Sequence, residues 1–187
     1  MEIQNTSIQD LFVIKPRVFE DERGYFFESY NEDKFFKNNI KHKFIQDNQS
    51  KSEFGVIRGL HYQLAPFAQT KLVRVLEGNI LDVAVDIRQG SPTFGKSFSI
   101  ELTAENKLQL LVPKGFAHGF SVISTKAVVL YKCDNFYNPE AERGINFNSK
   151  TLKIDWKIPK GKEIVATRDK AFPEIEDTEK NFIKEEI

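Results

Sequence analysis

Between about residue 10 and residue 150 the chain alternates short apolar-rich runs of strand length with clusters of turn residues. The clearest stretch is Lys71-Leu-Val-Arg-Val-Leu-Glu-Gly-Asn-Ile-Leu-Asp-Val-Ala-Val-Asp-Ile87. Its two apolar halves flank Glu77-Gly78-Asn79, a pattern that predicts a β-hairpin turning at the glycine. Further strands are predicted at Gly24–Tyr30, Ser97–Leu102, Gln109–Val112, His118–Val122 and Ala127–Lys132. Punctuation falls between them at Gln89-Gly-Ser-Pro92, Thr103-Ala-Glu-Asn106 and Pro113-Lys-Gly115. Helical patterning is confined to the edges. Asn31–Asn39 reads as a short helix capped by Asn31, and the charged tail after Pro173 as helical or frayed.

Many short strands, regular turns and no βαβ alternation predict an all-β fold, a closed double-sheet jelly-roll barrel with short peripheral helices. An immunoglobulin-type sandwich is the competing all-β reading. A lone cysteine and polar residues inside several strands count against it, whereas a barrel that encloses a ligand gives inward polar groups a purpose. The length of 187 residues suits a single domain, with a core over about residues 10–173 and a charged tail over 174–187.

Charge narrows the partners. Lys+Arg 27 and Asp+Glu 27 cancel, so no global field favours nucleic acid or an anionic membrane, and an anionic ligand must be held by local charges. The residues after Met1 are polar and acidic, with no apolar stretch long enough for a signal peptide or a transmembrane helix. The single cysteine, Cys133, cannot form an intrachain disulfide; both features lead us to expect a cytoplasmic protein.

The chemistry concentrates on the three histidines. His42 lies in the charged run Lys41-His42-Lys43 and is expected at the surface. His61 lies in Arg58-Gly-Leu-His-Tyr-Gln63, and His118 in Pro113-Lys-Gly-Phe-Ala-His-Gly-Phe120. A histidine on an apolar strand is more often a satisfied core residue than a catalyst, but each of these sits near a glycine and other ionisable groups. The Pro-x-Gly-x-x-His spacing resembles the second half of the cupin motif, a metal-binding jelly roll. The first half is incomplete, with Gln63 where a second histidine belongs and Lys71 where a glutamate belongs. Two histidines beside a lysine make a poor site for a divalent cation, so a cupin-like barrel without metal is expected. Histidine can take a proton near neutral pH, and a C–H beside a carbonyl is acidic enough to give one. Lys71 could then steady the enolate, and Tyr131 on its predicted strand is a candidate donor on the other face. A core tyrosine with a bonded hydroxyl is the competing account of Tyr131.

Several segments, in order, resemble the dTDP-4-dehydrorhamnose 3,5-epimerase family. They are Asp21-Glu-Arg-Gly-Tyr-Phe-Phe-Glu28, Gln46-Asp-Asn-Gln-Ser50, Val56-Ile-Arg-Gly-Leu-His-Tyr-Gln63 and Gln69-Thr-Lys-Leu-Val-Arg74. Asp82-Val-Ala-Val-Asp-Ile-Arg88, Ser91-Pro-Thr-Phe-Gly95, Pro113–Phe120, Tyr131-Lys-Cys-Asp-Asn-Phe-Tyr137 and Ile154-Asp-Trp156 continue the match, which spans about residues 10–173. The resemblance implies inversion at C3 and C5 of dTDP-4-dehydro-6-deoxy-D-glucose, with no metal and no cofactor. It implies His61 as base oriented by Asp169, Tyr131 as acid, and Lys71 and His118 lining the sugar pocket. Arg23, Glu28, Gln46, Asp47, Asn48, Arg58, Glu142 and Arg168 would meet the nucleotide and its diphosphate, and Tyr137 would stack on the base. Fork-shaped arginine donors suit a diphosphate on independent grounds. A homodimer is implied as well, with the segment around Arg23–Glu28 serving the other subunit; exposed strand edges give a separate reason to pair. The departures are small: Asn148-Ser149 and Arg168 stand where the family usually has Asn-Asp and a lysine. Three rivals stay open: a 3-epimerase, 5-epimerase or ketoisomerase of a related nucleotide sugar, a non-catalytic sugar-nucleotide binding module, and a metal-dependent cupin oxygenase.

Overall fold

Residues 1–184 are described by a computed structural model, in which strands dominate and pair almost entirely antiparallel. The first six-stranded sheet runs in the order β1 (Glu2–Asn5), β2 (Phe12–Lys15), β10 (Gln109–Val112), β7 (Lys71–Glu77), β12 (Lys126–Cys133), β5 (Gln46–Glu53). The second is ordered β13 (Glu142–Gly144), β6 (Val56–Gln63), β11 (Phe116–Val122), β8 (Asn79–Asp86), β9 (Ser97–Thr103), with β14 (Ile164–Val165) parallel to β6. A separate hairpin joins β3 (Val18–Asp21) to β4 (Gly24–Phe27). Two short helices, α1 (Glu32–Lys37) and α2 (Thr167–Lys170), complete the elements. This is the cupin-like double-sheet barrel that the strand pattern predicts.

The period-two rule explains how the layers form. Along β8, Ile80 and Ala84 join the cluster between the sheets with Val73, Val75, Phe116 and Phe120, while Leu81, Val83 and Val85 face outward. The outward row is also buried, because the segment beyond residue 145 lays Ile145, Trp156, Ile175 and Phe182 over it. A strand covered on both faces reads as a nearly continuous apolar run, which is why β8 lacks clean alternation. The first sheet has its own smaller outer cluster, where Phe35 of α1 packs with Ile14, Leu72 and Leu111. The helix is capped as expected, Asn31 Oδ1 accepting from the Lys34 N–H at 3.1 Å. The hairpin predicted at Glu77-Gly78-Asn79 does not form: β7 pairs with β10 and β12 and β8 with β11 and β9, so the turn carries the chain from one sheet to the other, with Gly78 at φ +75, a left-handed value that a side chain would resist.

Three further expectations need correcting. The predicted strand Gly24–Tyr30 ends at Phe27, where the two-stranded hairpin runs out of partner. The tail after Pro173 is neither helical nor frayed over its described part: it is an irregular strap pinned by side chains. The Tyr62 hydroxyl binds Thr178 and the Glu179 carbonyl, Asn181 bonds both backbone groups of Ala65, and Lys184 pairs with Asp10 at 2.6 Å. Charge composition misleads there because buried Ile175, Thr178 and Phe182 anchor the strap between its charges. His42, expected at the surface, is half-buried, with Nδ1 3.2 Å from Asp134 Oδ2.

Candidate active site

A cavity of about 560 Å³ opens between the two sheets. Gln46, Asn48, Ser50, Lys71 and Tyr131 form the wall from the first sheet, and Arg58, His61, Gln63, His118 and Phe120 the wall from the second. Arg58 and His61 are three residues apart on β6, so a regular strand would aim them at opposite faces. The register against β11 shifts by one between them, since His118 faces His61 while Phe120 faces Arg58. This bulge returns both side chains to the same cavity. Gly59 permits it: its φ is +126, and a Cβ there would fall 2.5 Å from the Gly119 Cα and 2.8 Å from the His118 carbonyl oxygen.

The same register makes His61 and His118 direct cross-strand neighbours, and each is held by an aspartate. His61 Nε2 lies 2.9 Å from Asp169 Oδ1, and Asp169 Oδ2 accepts the Gly59 N–H at 3.2 Å. Among the described residues His61 Nδ1 has no hydrogen-bond partner, so it is the nitrogen free to exchange a proton with a ligand. Burial alone would push the Asp169 carboxyl up. The hydrogen bond and charge of His61, with help from the Gly59 N–H and Arg168, outweigh it and hold the carboxyl below its usual range. His118 Nε2 lies 2.8 Å from Asp82 Oδ1, and Asp82 is fully buried. Among the described residues the second oxygen, Asp82 Oδ2, is buried without a partner.

Across the cavity, Tyr131 is paired with Val73 on one side and Asn48 on the other. Its hydroxyl finds no hydrogen-bond partner among the described residues. Burial raises the phenol above its ordinary value, as does the nearby Cys133, while Arg58 opposes them, so at neutral pH the hydroxyl keeps its proton. Lys71 Nζ sits 5.9 Å from the Tyr131 ring centroid and has no ion-pair partner among the described residues. Burial drives its pKa down, against the pull of Cys133, Glu142 and Asp82. A lysine amine in this position gains its proton's full electrostatic worth when a negative charge forms beside it. Cys133 behind it is a buried thiol pushed up to about 11 by burial, and is inert as a nucleophile.

The mouth is polar. Glu142 accepts from the Tyr137 hydroxyl at 2.8 Å and from Arg168 at 2.7 Å, and Gln46 accepts the Tyr137 N–H while donating to Asn48. Of the fourteen positions that the sequence points to, the structure brings most to this cavity or its rim. Asp169 stands behind His61. Three others lie elsewhere. Asp47 alternates to the outer face of β5 and pairs with Lys132 at 3.0 Å. Arg23 is exposed on the β3–β4 hairpin, bound to Asp21, and Glu28 follows it, paired with Lys34. Sequence reasoning gives no role to Asp82, nor to Ser50, Gln63 and Phe120 of the cavity wall; for Asp82 a carboxylate inside the apolar run of β8 is the signal that marks it.

The cavity does not suit the metal of a metal-binding cupin. Both histidines spend one nitrogen on an aspartate, a lysine stands beside them, and the described residues contain no cluster of three or more His, Cys, Asp or Glu able to hold an ion. Acid–base groups on two facing walls permit proton removal from one side of a carbon and delivery from the other, which is the chemistry of the cupin-like sugar epimerases. Residues 5–177 match the model of the dTDP-4-dehydrorhamnose 3,5-epimerase family, and the chain belongs to that family. It is 52% identical over 160 residues to the dTDP-4-dehydrorhamnose 3,5-epimerase of Shigella flexneri, covering 84% of this chain and 88% of that one. The crystal structure of the enzyme of that name from Elizabethkingia anophelis superposes with a TM-score of 0.90 at 54% identity, covering 95% of this chain and 97% of that one. A Legionella pneumophila dTDP-6-deoxy-D-glucose-3,5-epimerase, solved with dTDP-4-keto-L-rhamnose, gives a TM-score of 0.90 at 45% identity, covering 94% of this chain and 93% of that one.

Proposed function

We propose that the chain inverts C3 and C5 of dTDP-4-dehydro-6-deoxy-D-glucose, yielding dTDP-4-dehydro-L-rhamnose. The observation that carries the reading is the opposition of His61 and Tyr131 across one cavity, with the Lys71 amine beside Tyr131 on the first-sheet wall. His61, held by Asp169, takes the proton beside the C4 ketone through Nδ1. Negative charge moves to the ketone oxygen, where Lys71 stabilises it. Tyr131 then gives its proton to the opposite face, and the configuration inverts. Arg58, Arg168, Gln46 and Asn48 hold the nucleotide diphosphate at the mouth, and Tyr137, 52% exposed, offers a ring to the base. His118, fixed by Asp82, shapes the sugar pocket. The test is incubation with the 4-keto substrate in D2O, reading deuterium entry and inversion at C3 and C5 separately by NMR. Ligand binding with no deuterium entry at either carbon would reduce the chain to a binding module.

A homodimer is part of the proposal. The β3–β4 hairpin exposes Phe19, Tyr25 and Phe26, the last to 70%, and carries Arg23 away from its own cavity. An exposed aromatic ribbon of this kind suits insertion against a second copy, to whose site it would bring Arg23 and Glu28. Light scattering should give twice the chain mass, and mixing R23A with H61A should restore activity that neither has alone. A fully active monomer would refute it. We place the enzyme in the cytoplasm on the strength of its one free thiol, Cys133; cell fractionation tests this.

A further inference from the structure

The wall around His61 contains a residue that the proposed chemistry does not use. Phe172 follows α2 three residues after Asp169, and its half-buried ring meets the His61 imidazole edge-on, with centroids 5.6 Å apart and planes at 77°. Opposite His61 across the β6–β13 ladder stands Gly144. Directly paired residues project to the same face of a sheet, so a side chain at 144 would rise beside the imidazole. Here there is none, and Phe172 fills the space: a Cβ built on Gly144 would collide with the ring atoms Cδ2, Cε2 and Cζ. Gly144 does not have a left-handed φ, so room and not backbone freedom accounts for the glycine. The Arg168 guanidinium also lies over the ring, 6.0 Å from its centroid, while pairing with Glu142.

We infer that Phe172 is a positioning residue for the general base, an aromatic wedge seated in the space left by Gly144 that fixes the imidazole plane against Asp169. The inference rests on the reading of His61 as the base. Asp169 constrains His61 at one atom, about which a ring can still swing; a second contact, with the Phe172 ring, removes that freedom. Misplacing a catalytic group by an ångström costs about 100-fold in rate without a matching loss of ground-state binding. The wedge and its seat therefore belong to one device, and changes to either should act on the same step.

Four proteins test it in the D2O assay: parent, F172A, G144A and the double variant G144A/F172A. A parent that exchanges no deuterium would sink the functional reading itself, separately from this inference. Given an active parent, F172A and G144A should each lower the rate of deuterium entry about 10-fold to 100-fold, while dTDP affinity by calorimetry stays within about 2-fold. The double variant should be no slower than F172A alone, because the methyl at 144 then has an empty space to enter. F172L, which keeps much of the volume, should recover most of the rate. Parent-like exchange in F172A overturns the proposal, as does a double variant slowed by the product of the two single effects. Parallel loss of dTDP binding and exchange in both single variants also overturns it, since that pattern marks a merely structural side chain.

Discussion

Replacing Asp169 by Asn changes a single atom in size and shape, yet it should disable the base. The carboxylate side chain is 4% exposed, so solvent screens little of its interaction with His61. Its two oxygens accept from two donors, the imidazole Nε2 at 2.9 Å and the Gly59 N–H at 3.2 Å. An amide can satisfy only one of them. If its oxygen faces His61, its NH2 confronts the Gly59 N–H, donor against donor. If it turns over, the NH2 donates to Nε2 and forces the tautomer that carries hydrogen on Nδ1, which cannot accept a proton. The first arrangement forfeits a charge-assisted hydrogen bond worth about 1.5–3 kcal/mol, or about 10- to 100-fold in rate. The second approaches the loss of about 10⁴ known for an aspartate that orients a catalytic histidine. We expect kcat to fall between these limits, about 10²- to 10⁴-fold, with deuterium entry at C3 and C5 falling in step. Single-turnover NMR in D2O reads both carbons. A folded D169N protein that exchanges either proton at the parent rate would refute the dyad.

Tyr131→Phe should separate abstraction from inversion: deuterium still enters at C3 or C5 through His61, and little inverted sugar forms. The lost hydroxyl has no protein partner among the described residues, so the melting temperature should hold; full inversion by Y131F would make the tyrosine structural. Lys71→Met should abolish turnover yet raise the melting temperature, by roughly 2–4 °C per kcal/mol of burial penalty removed. Burial depresses the folded Lys71 pKa, so the parent gains stability as pH rises toward the unfolded lysine value and K71M lacks that gain. A K71M protein no more stable than the parent at neutral pH would contradict this account. Asp86, fully buried, accepts from Arg88, Ser91 and Thr93, and D86N should cost about 1–3 kcal/mol by chemical denaturation because these donors lose their charged acceptor, although Arg88 keeps its pair with Asp10 at 2.6 Å. Burial would raise the Asp86 carboxyl, but the Arg88, Ser91 and Thr93 bonds hold it below its usual range. Its contribution is therefore complete above about pH 4 and lost as pH falls through the folded value. Acid melts of D86N should lack that limb, and an unchanged limb would point to other carboxylates.

Local pattern determined much of this protein without any tertiary information. Alternation over 71–87 with a glycine between its halves is enough to place two strands and the turn between them, because turn geometry and side-chain period are set by adjacent residues, but it does not place their partners: β7 joins the first sheet and β8 the second, so the predicted hairpin does not form. Asn31 before an amphipathic stretch places α1 for the same reason. Unusual residue types inside strands, His61, His118, Lys71 and Tyr131, mark the chemistry, since burying them demands a purpose. Their common cavity had to come from pairing. Asp169 stands 108 positions from His61, a distance no local pattern spans, and only resemblance suggested the partnership. The bulge at Gly59 reverses the face on which Arg58 and His61 meet, and it exists only because β6 packs backbone to backbone against Gly119 of β11. Asp47 shows the converse: its neighbours Gln46 and Asn48 face the cavity, and the pleat turns Asp47 outward to Lys132. The strap after Pro173 looks free by charge, but the outer face of the second sheet is apolar and needs a cover. A residue's type is written in the chain, whereas its face, its partner and its exposure depend on strand register, and register is decided by contacts between residues far apart in sequence.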